Sequence, residues 1–484
     1  MSMSQVFASY TKQPIQDYAG NPLIEALPPI LTEEAAMVSL GCFPPIPSQD
    51  ELDLDCSLRI HCVDRLRSVI QPLLIHLELQ SIFSSLIRWG YVGRNPRSPD
   101  TVRHLHSLSK SKGYHSGFKS TAETFSLVGL SGIGKSTALE SILSLYPQTI
   151  KHTQYEGKQF VHTQISWLKL DCPRDGSLSG FCQQFFISIG EAIGDKDYPK
   201  RYRARNINDA LQQMEQVASN FYIGALLIDE IQNLHLAKTG GKDSMLNFFL
   251  HLVNNLGIPV VFIGTNSMVS LFSDVMRNAR RTCGLGVVEF KHFQRDDEEW
   301  RNLVETLWSY QWCRQRAGLT DEIYDALYDR TQGVTDFLVK LLVLTQRYAI
   351  QSGEERITAA SIRMVSDSKM KILAPALSAL RSRDPKAMSR FEDLLPVDAQ
   401  LAEMMTPDPG SSGARLKMLR TYSSGALASA ANPETKPVVH AAVAVTEEHE
   451  LLGISQSDDP LQSLREAGWI NQDIFEFSPA YRKS

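Results

Sequence analysis

Two kinds of hydrophobic pattern alternate through the middle of this chain. Short uninterrupted apolar runs occur at Phe125–Val128 (FSLV), at the end of Phe160–Leu170 (FVHTQISWLKL), within Tyr222–Glu230 (YIGALLIDE) and at Pro259–Gly264 (PVVFIG). Such runs predict strands buried on both faces of a parallel sheet. Between them, Ser136–Leu145, Phe181–Ile193 and Met245–Leu256 carry apolar residues at helical spacing. The alternation predicts an α/β core, a parallel sheet between helices.

Helical periodicity also flanks this core. Upstream, Leu66, Val69, Ile70, Leu73, Leu74, Leu77, Ile82, Leu86 and Ile87 predict one or two helices, with Pro72 starting or kinking the second and Gly90 closing it. Downstream, Asp296–Trp312 and Glu322–Ile350 place Trp300, Leu303, Leu307, Trp308, Ile323, Leu327, Leu338, Leu341 and Leu342 on apolar faces, with Gly333 between two helices. They predict a small helical lid. Proline and turn residues crowd Met1–Asp55, which reads as an extended arm or a disordered tail. Arg103–Lys119 (RHLHSLSKSKGYHSGFK) reads as a basic, solvated connector, with a DNA contact as the alternative. Pro407–Pro437, rich in Gly, Ser, Ala and Pro, reads as a flexible tether. Apolar residues return over Glu447–Phe477, in a segment suited to docking on a partner. The expected organisation is an arm (1–57), a helical extension (58–120), the α/β core (121–290), the lid (291–378), a partly disordered linker (379–446) and a docking segment (447–484).

Composition narrows the class. A length of 484 residues accommodates roughly two to four domains. The net charge of −5 is mild, so any nucleic-acid contact has to come from a local patch. The seven cysteines are scattered without a C-x-x-C pair, which argues against a disulfide framework or zinc ribbon and fits a reducing cytoplasm. The start lacks the apolar segment of a signal peptide, and no apolar run is long enough to cross a bilayer.

The chemistry concentrates in GLSGIGKS, Gly129–Ser136, which meets the phosphate-loop pattern at every fixed position between a predicted strand and a predicted helix. Gly129, Gly132 and Gly134 let the backbone curl until its N–H groups face an anion, and the helix start adds attraction for phosphate. Gly129, Ser131, Gly132, Ile133, Gly134, Lys135, Ser136 and Thr137 are the candidate contacts to ATP. Lys135 reaches the β- and γ-phosphates, and the Ser136 hydroxyl is a candidate Mg²⁺ ligand.

The run YIGALLIDE ends in Asp229-Glu230, where a parallel sheet meets its ligand crevice. Asp229 is the second candidate Mg²⁺ ligand and nucleotide contact, and Glu230 the candidate base for the attacking water. Thr265 and Asn266 follow the next strand, where a polar side chain can meet the γ-phosphate and that water. In RNARR, Arg280 and Arg281 are candidates to reach a neighbouring subunit's nucleotide. The segment KRYRAR is the densest basic cluster; Lys200, Arg201, Arg203 and Arg205 are candidate phosphate contacts, with Tyr202 free to pack on sugar or base.

The order GLSGIGKST, ALLIDEIQNL, VVFIGTN and ARR, followed by a helical lid, resembles an AAA+ ATPase. More narrowly, DCPRDGS, IGALLIDEIQNL, MLNFFLHLVNNLGIPVVFIGTN and ARRTCGLG resemble TnsC, the transposition regulator of prokaryotic mobile elements, and its TniB relatives. The likeness runs from about Tyr18, in YAGNPLIEALPP, to about Ile350. It implies an ATP- and Mg²⁺-dependent oligomer on double-stranded DNA, connecting a target-selection protein or RNA-guided complex to a transposase. Lys135, Ser136, Asp229 and Glu230 then carry ATP and Mg²⁺, and Arg280 or Arg281 acts across the subunit boundary. There is one departure. Where AAA+ lids often place an arginine in G-x-x-R, Gly333-Val334-Thr335-Asp336 places an acid, with Lys340 one turn on as a substitute. The alternative readings are a nucleotide switch that binds only proteins, and a DNA motor or loader.

Overall fold

The computed structural model describes residues 5–109, 117–236, 241–268, 285–382, 384 and 412–431. The strands are β1 (Gln5–Phe7), β2 (Thr124–Gly129), β3 (Thr149–Tyr155), β4 (Lys158–Ile165), β5 (Trp167–Asp171), β6 (Ala225–Asp229), β7 (Val260–Gly264) and β8 (Val287–Phe290). The longer helices are α1 (Leu74–Val92), α2 (Pro99–Ser109), α3 (Lys135–Ser144), α4 (Leu178–Ile193), α5 (Ile207–Asn220), α6 (Gly241–Leu256), α7 (Glu298–Trp308), α8 (Asp321–Thr331), α9 (Thr335–Ser352), α10 (Ala359–Lys369) and α11 (Ser412–Ala431).

Five strands form a parallel sheet in the order β5-β6-β7-β2-β8. Its central strands are buried on both faces, as their unbroken apolar runs require. One face, with Val128, Leu226, Ile228, Val260 and Phe262, packs on α4, α5 and α6. The other, with Phe125, Leu127, Leu227, Val261 and Ile263, packs on α1 and α3 and on the arm. Helix α4 starts and stops where its sequence directs: Ser177 Oγ accepts from the Gly180 amide at 2.9 Å, and Gly194 ends it at φ +74°. The lid helices α7 to α10 surround a separate core of Trp300, Tyr310, Trp312, Leu327, Leu338 and Leu342.

Several elements differ from the sequence expectations, each for a physical reason. Phe160–Leu170 is two strands rather than one. β4 belongs to a second sheet of three strands, β1-β3-β4, and the chain passes into the parallel sheet at Ser166. Gly90 lies inside α1 and does not close it. A Cβ there would come within 2.4 Å of the Pro259 ring, so the glycine serves close packing onto the sheet. The expected solvated connector is in part a helix, α2, whose His104 is buried and stacked at 4.0 Å on Phe118. Of the two readings of the first residues, the packed arm is the one seen, burying Tyr18, Leu23, Ile24 and Leu27.

The tether is the largest correction. Within Pro407–Pro437, Ser412–Ala431 form α11, a 20-residue helix that buries Leu419 and Ser423. Ser423 Oγ accepts from Gln71 Nε2 at 2.5 Å, and the Tyr422 hydroxyl donates to Val38 O at 3.3 Å. Met418, Leu419, Tyr422, Ser423 and Leu427, at helical spacing within a segment read as low complexity, supply the packing face. The docking segment Glu447–Phe477 lies outside the described residues.

Candidate functional site

The strand–loop–helix unit forms as its spacing requires. β2 ends at Gly129, and α3 opens at Lys135 after Gly134, whose φ of +106° is open to glycine and costly for a side chain. Gly132 is also left-handed, at φ +78°. Lys135 is buried beneath the loop, its Nζ donating to Gly129 O and Leu130 O at 2.7 Å each.

A cavity of about 360 Å³ lies over this loop. Ser131, Gly132, Ile133, Gly134, Lys135, Ser136 and Thr137 line it, and Asp229, Glu230 and Thr265 meet them from the ends of β6 and β7. The parallel sheet thus gathers residues from as far apart in sequence as Ser131 and Thr265 onto one edge. Asn266, the next residue after Thr265, is not among those that line it. Arg280 and Arg281 lie outside the described residues.

The two carboxylates are held differently. Asp229 is buried, with Oδ1 accepting from the Glu230 amide at 2.9 Å and Oδ2 paired with Lys169 Nζ at 3.0 Å. Burial works against the Lys169 charge, but Asp229, Glu140 and Asp171 outweigh it and hold the ammonium above its usual value. Glu230 is exposed to the cavity at φ +55°, a conformation rare outside glycine. Its Oε2 accepts from Gln232 Nε2 at 2.5 Å. Among the described residues no group of three or more His, Cys, Asp or Glu side chains gathers as a metal site. The hydroxyl of Ser136 and the carboxylate of Asp229 are nonetheless hard oxygen donors facing one cavity, the donor chemistry that suits Mg²⁺ held together with nucleotide phosphates.

Gln232 and Gly264 complete the core's share, and the other walls come from outside the core. Arg67, Val69, Ile70, Gln71, Leu73 and His76 line the cavity from the extension, and Leu303, Leu307, Thr335, Asp336 and Val339 from the lid. Val69, Ile70 and Leu73 were expected on a helix. Instead Pro72 breaks the helical path, and an extended turn carries them to the cavity. Burial pushes the His76 imidazole down to about 4, so it is neutral near pH 7. The lid rests on the loop: the Asp336 amide donates to Gly132 O at 3.0 Å, and the Thr335 hydroxyl to the same oxygen at 3.2 Å. Lys340, the expected substitute for the lid arginine, pairs with Asp336 at 2.5 Å and does not line the cavity.

The basic cluster is more engaged than its sequence suggests. Lys200 pairs with Asp197 and Arg201 with Asp195, each at 2.6 Å on the surface. Tyr202 is stacked on Phe186 at 4.4 Å, with its hydroxyl 2.6 Å from that of Tyr198. It packs into the protein, which corrects the expectation that it packs on sugar or base. Arg203 and Arg205 are exposed.

Comparison with known proteins agrees with this architecture. Residues 119–272 match the family model of the AAA domain. The core of this chain is thus an AAA+ P-loop ATPase core, carrying a helical lid. None of the curated proteins matches the chain. Among solved structures, the Walker-type ATPase of Pyrococcus abyssi is similar at 15% identity over 67% of this chain and 88% of that one, with a TM-score of 0.34. The Aeropyrum pernix ORC1 protein, solved in complex with DNA, gives 16%, 69%, 81% and 0.35 in the same order. Cdc6p of Pyrobaculum aerophilum gives 15%, 70%, 98% and 0.35. Likenesses this distant carry no argument about what the chain binds. Among the described residues, no helix is long and apolar enough to cross a membrane.

Proposed function

We propose that this chain is an ATP-switched regulator of DNA transposition. It assembles in several copies on double-stranded DNA and connects a target-selection protein or RNA-guided complex to a transposase. ATP hydrolysis controls its assembly and disassembly. The observation that carries this reading is that core, extension and lid all wall one cavity, so that a nucleotide there touches every part of the assembly-forming body. The TnsC-like runs add the particular role, because IGALLIDEIQNL and VVFIGTN supply Asp229, Glu230, Gln232, Gly264 and Thr265 to this cavity.

In this reading Lys135 leaves the carbonyls of Gly129 and Leu130 for the β- and γ-phosphates, which offer its ammonium a full charge. Glu230 accepts the proton of the attacking water. Thr265 meets the γ-phosphate. Ser136 and Asp229 hold Mg²⁺, which neutralises charge on the phosphates when bound. Arg280 or Arg281 completes the site across a subunit boundary, and Lys200, Arg201, Arg203 and Arg205 meet backbone phosphates.

A second reading has a specific observation in its favour. The ion pairs of Lys200 and Arg201 and the half-buried Tyr202, stacked on Phe186, suit an ordinary surface, and hence a switch that binds only proteins. Retention of labelled duplex on a filter separates the two. The first expects retention with ATP and little with ADP or without nucleotide, and the second expects none under any condition.

A further inference from the structure

We infer that Gln232 is a positioning residue for ATP hydrolysis, which ties the Glu230 carboxylate to the backbone of Thr265 so that the two move as one unit. The inference rests on the nucleotide-site reading above and deepens it.

Gln232 lies two residues beyond Glu230, on a short 3-10 helix, Ile231–Leu236. Both ends of its side-chain amide are used, in opposite senses. Nε2 donates to Glu230 Oε2 at 2.5 Å, and Oε1 accepts from the Thr265 amide at 3.2 Å. Glu230, Gln232, Gly264 and Thr265 all line the cavity. The bridge therefore joins the ends of β6 and β7, which are neighbours in the sheet. One end meets the group that faces the attacking water. The other meets the loop placed to meet the γ-phosphate.

The surroundings fix both ends. Glu230 sits at φ +55°, a backbone placement that persists only where neighbours hold it. Its amide donates to Asp229 Oδ1 at 2.9 Å, and its carbonyl accepts from the Asn233 amide at 2.9 Å. Asn233 is itself tied to Cys172 O at 2.9 Å. Thr265 is steadied by its hydroxyl, 2.8 Å from that of Ser267. With the backbone settled on both sides, the remaining freedom is the Glu230 side chain, and Gln232 is the group that holds it. A displacement of the Thr265 amide on binding phosphate is passed by a rigid planar amide to the carboxylate. A carboxylate side chain in this place would lack the donor, and a serine or threonine hydroxyl the reach.

The test compares Gln232→Ala, Gln232→Glu and Glu230→Gln with the intact protein, all as full chains. Hydrolysis is followed over a range of ATP, and nucleotide affinity by calorimetry. Gln232→Ala removes the bridge, so kcat should fall roughly tenfold, with KM and affinity changed less than about twofold. Gln232→Glu keeps the size and the acceptor for Thr265 but loses the donor and sets a second carboxylate beside Glu230. It should hydrolyse more slowly than Gln232→Ala. A role in packing alone expects the reverse order, because glutamate preserves the shape. Gln232→Glu as fast as Gln232→Ala, or either at the wild-type rate while Glu230→Gln is inactive, overturns the inference alone. Glu230→Gln at the wild-type rate overturns the underlying assignment of the base, and this inference with it.

Discussion

Arg59 and Glu355 join the helical extension to the lid, and their removal should loosen the wall of the nucleotide cavity. Arg59 is 1% exposed, and its two Nη atoms meet the Glu355 carboxylate at 2.7 and 2.5 Å. Nη1 also donates to Trp312 O and Nε to Leu54 O, both at 3.1 Å. Glu355→Gln leaves a buried guanidinium with carbonyls as its main partners. Breaking such a pair costs about 3–5 kcal/mol, and the lower end applies because the Glu355 side chain is 15% exposed. Arg59→Met should cost less, about 2 kcal/mol, because the remaining carboxylate still accepts from the Arg314 amide and reaches water. The double variant should fall short of the sum by at least about 1 kcal/mol, since neither charge is then left unpaired. Urea unfolding followed by tryptophan fluorescence reports directly on this region, because Trp300, Trp308 and Trp312 are all buried in the lid. The hydrogen bond from Arg59 holds the Glu355 carboxyl below its ordinary value of 4.5. A depressed carboxyl gives stability that is fully present above that value and is lost as pH falls through the lowered one. The wild type should therefore lose its advantage over Glu355→Gln only below about pH 4.5. Additive single costs, or an advantage lost near neutrality, would refute the reasoning.

Three further outcomes follow from the site and its surroundings. Lys135→Ala should weaken ATP binding sharply by calorimetry, and equal affinity would remove the phosphate-loop assignment. Replacing Lys200, Arg201, Arg203 and Arg205 together should weaken binding to all duplex sequences about equally and lower the salt slope by roughly one unit per lost phosphate contact; an unchanged slope would move the contact elsewhere. A chain ending after Met404 loses α11 and should unfold at a lower temperature, by at least the roughly 2 kcal/mol that burial of a leucine such as Leu419 contributes. A chain ending after Ala431 keeps α11, and only that cut isolates the docking segment.

The parallel sheet and the phosphate loop were legible because they depend on local pattern. Unbroken apolar runs mark buried strands, and the glycines of GLSGIGKS mark where the backbone turns inward on the cavity. Asp229 and Glu230 were legible for the same reason, standing at the end of such a run. Lys169 was not, although a lone lysine inside the apolar segment SWLKL is a signal that it has a buried partner. The extension's share of the cavity was hidden because Val69 and Ile70 fit a helical period as well as an extended turn, and only Pro72 distinguishes them. Helix α11 was hidden by composition. Its serines and glycines resemble a tether, and its stability comes from contacts with Gln71 and Val38, more than three hundred residues away in the chain. The surroundings of the basic cluster were hidden too, because sequence counts charges but does not show that Asp195 and Asp197 already meet two of them.

The most direct test of ATP-switched assembly on DNA is electron microscopy of the Glu230→Gln protein with double-stranded DNA and ATP, set beside the same mixture with ADP and the Lys135→Ala protein with ATP. The account predicts ordered oligomers along the duplex in the first mixture and none in the other two. Oligomers of equal abundance in all three, or none in any, would contradict it.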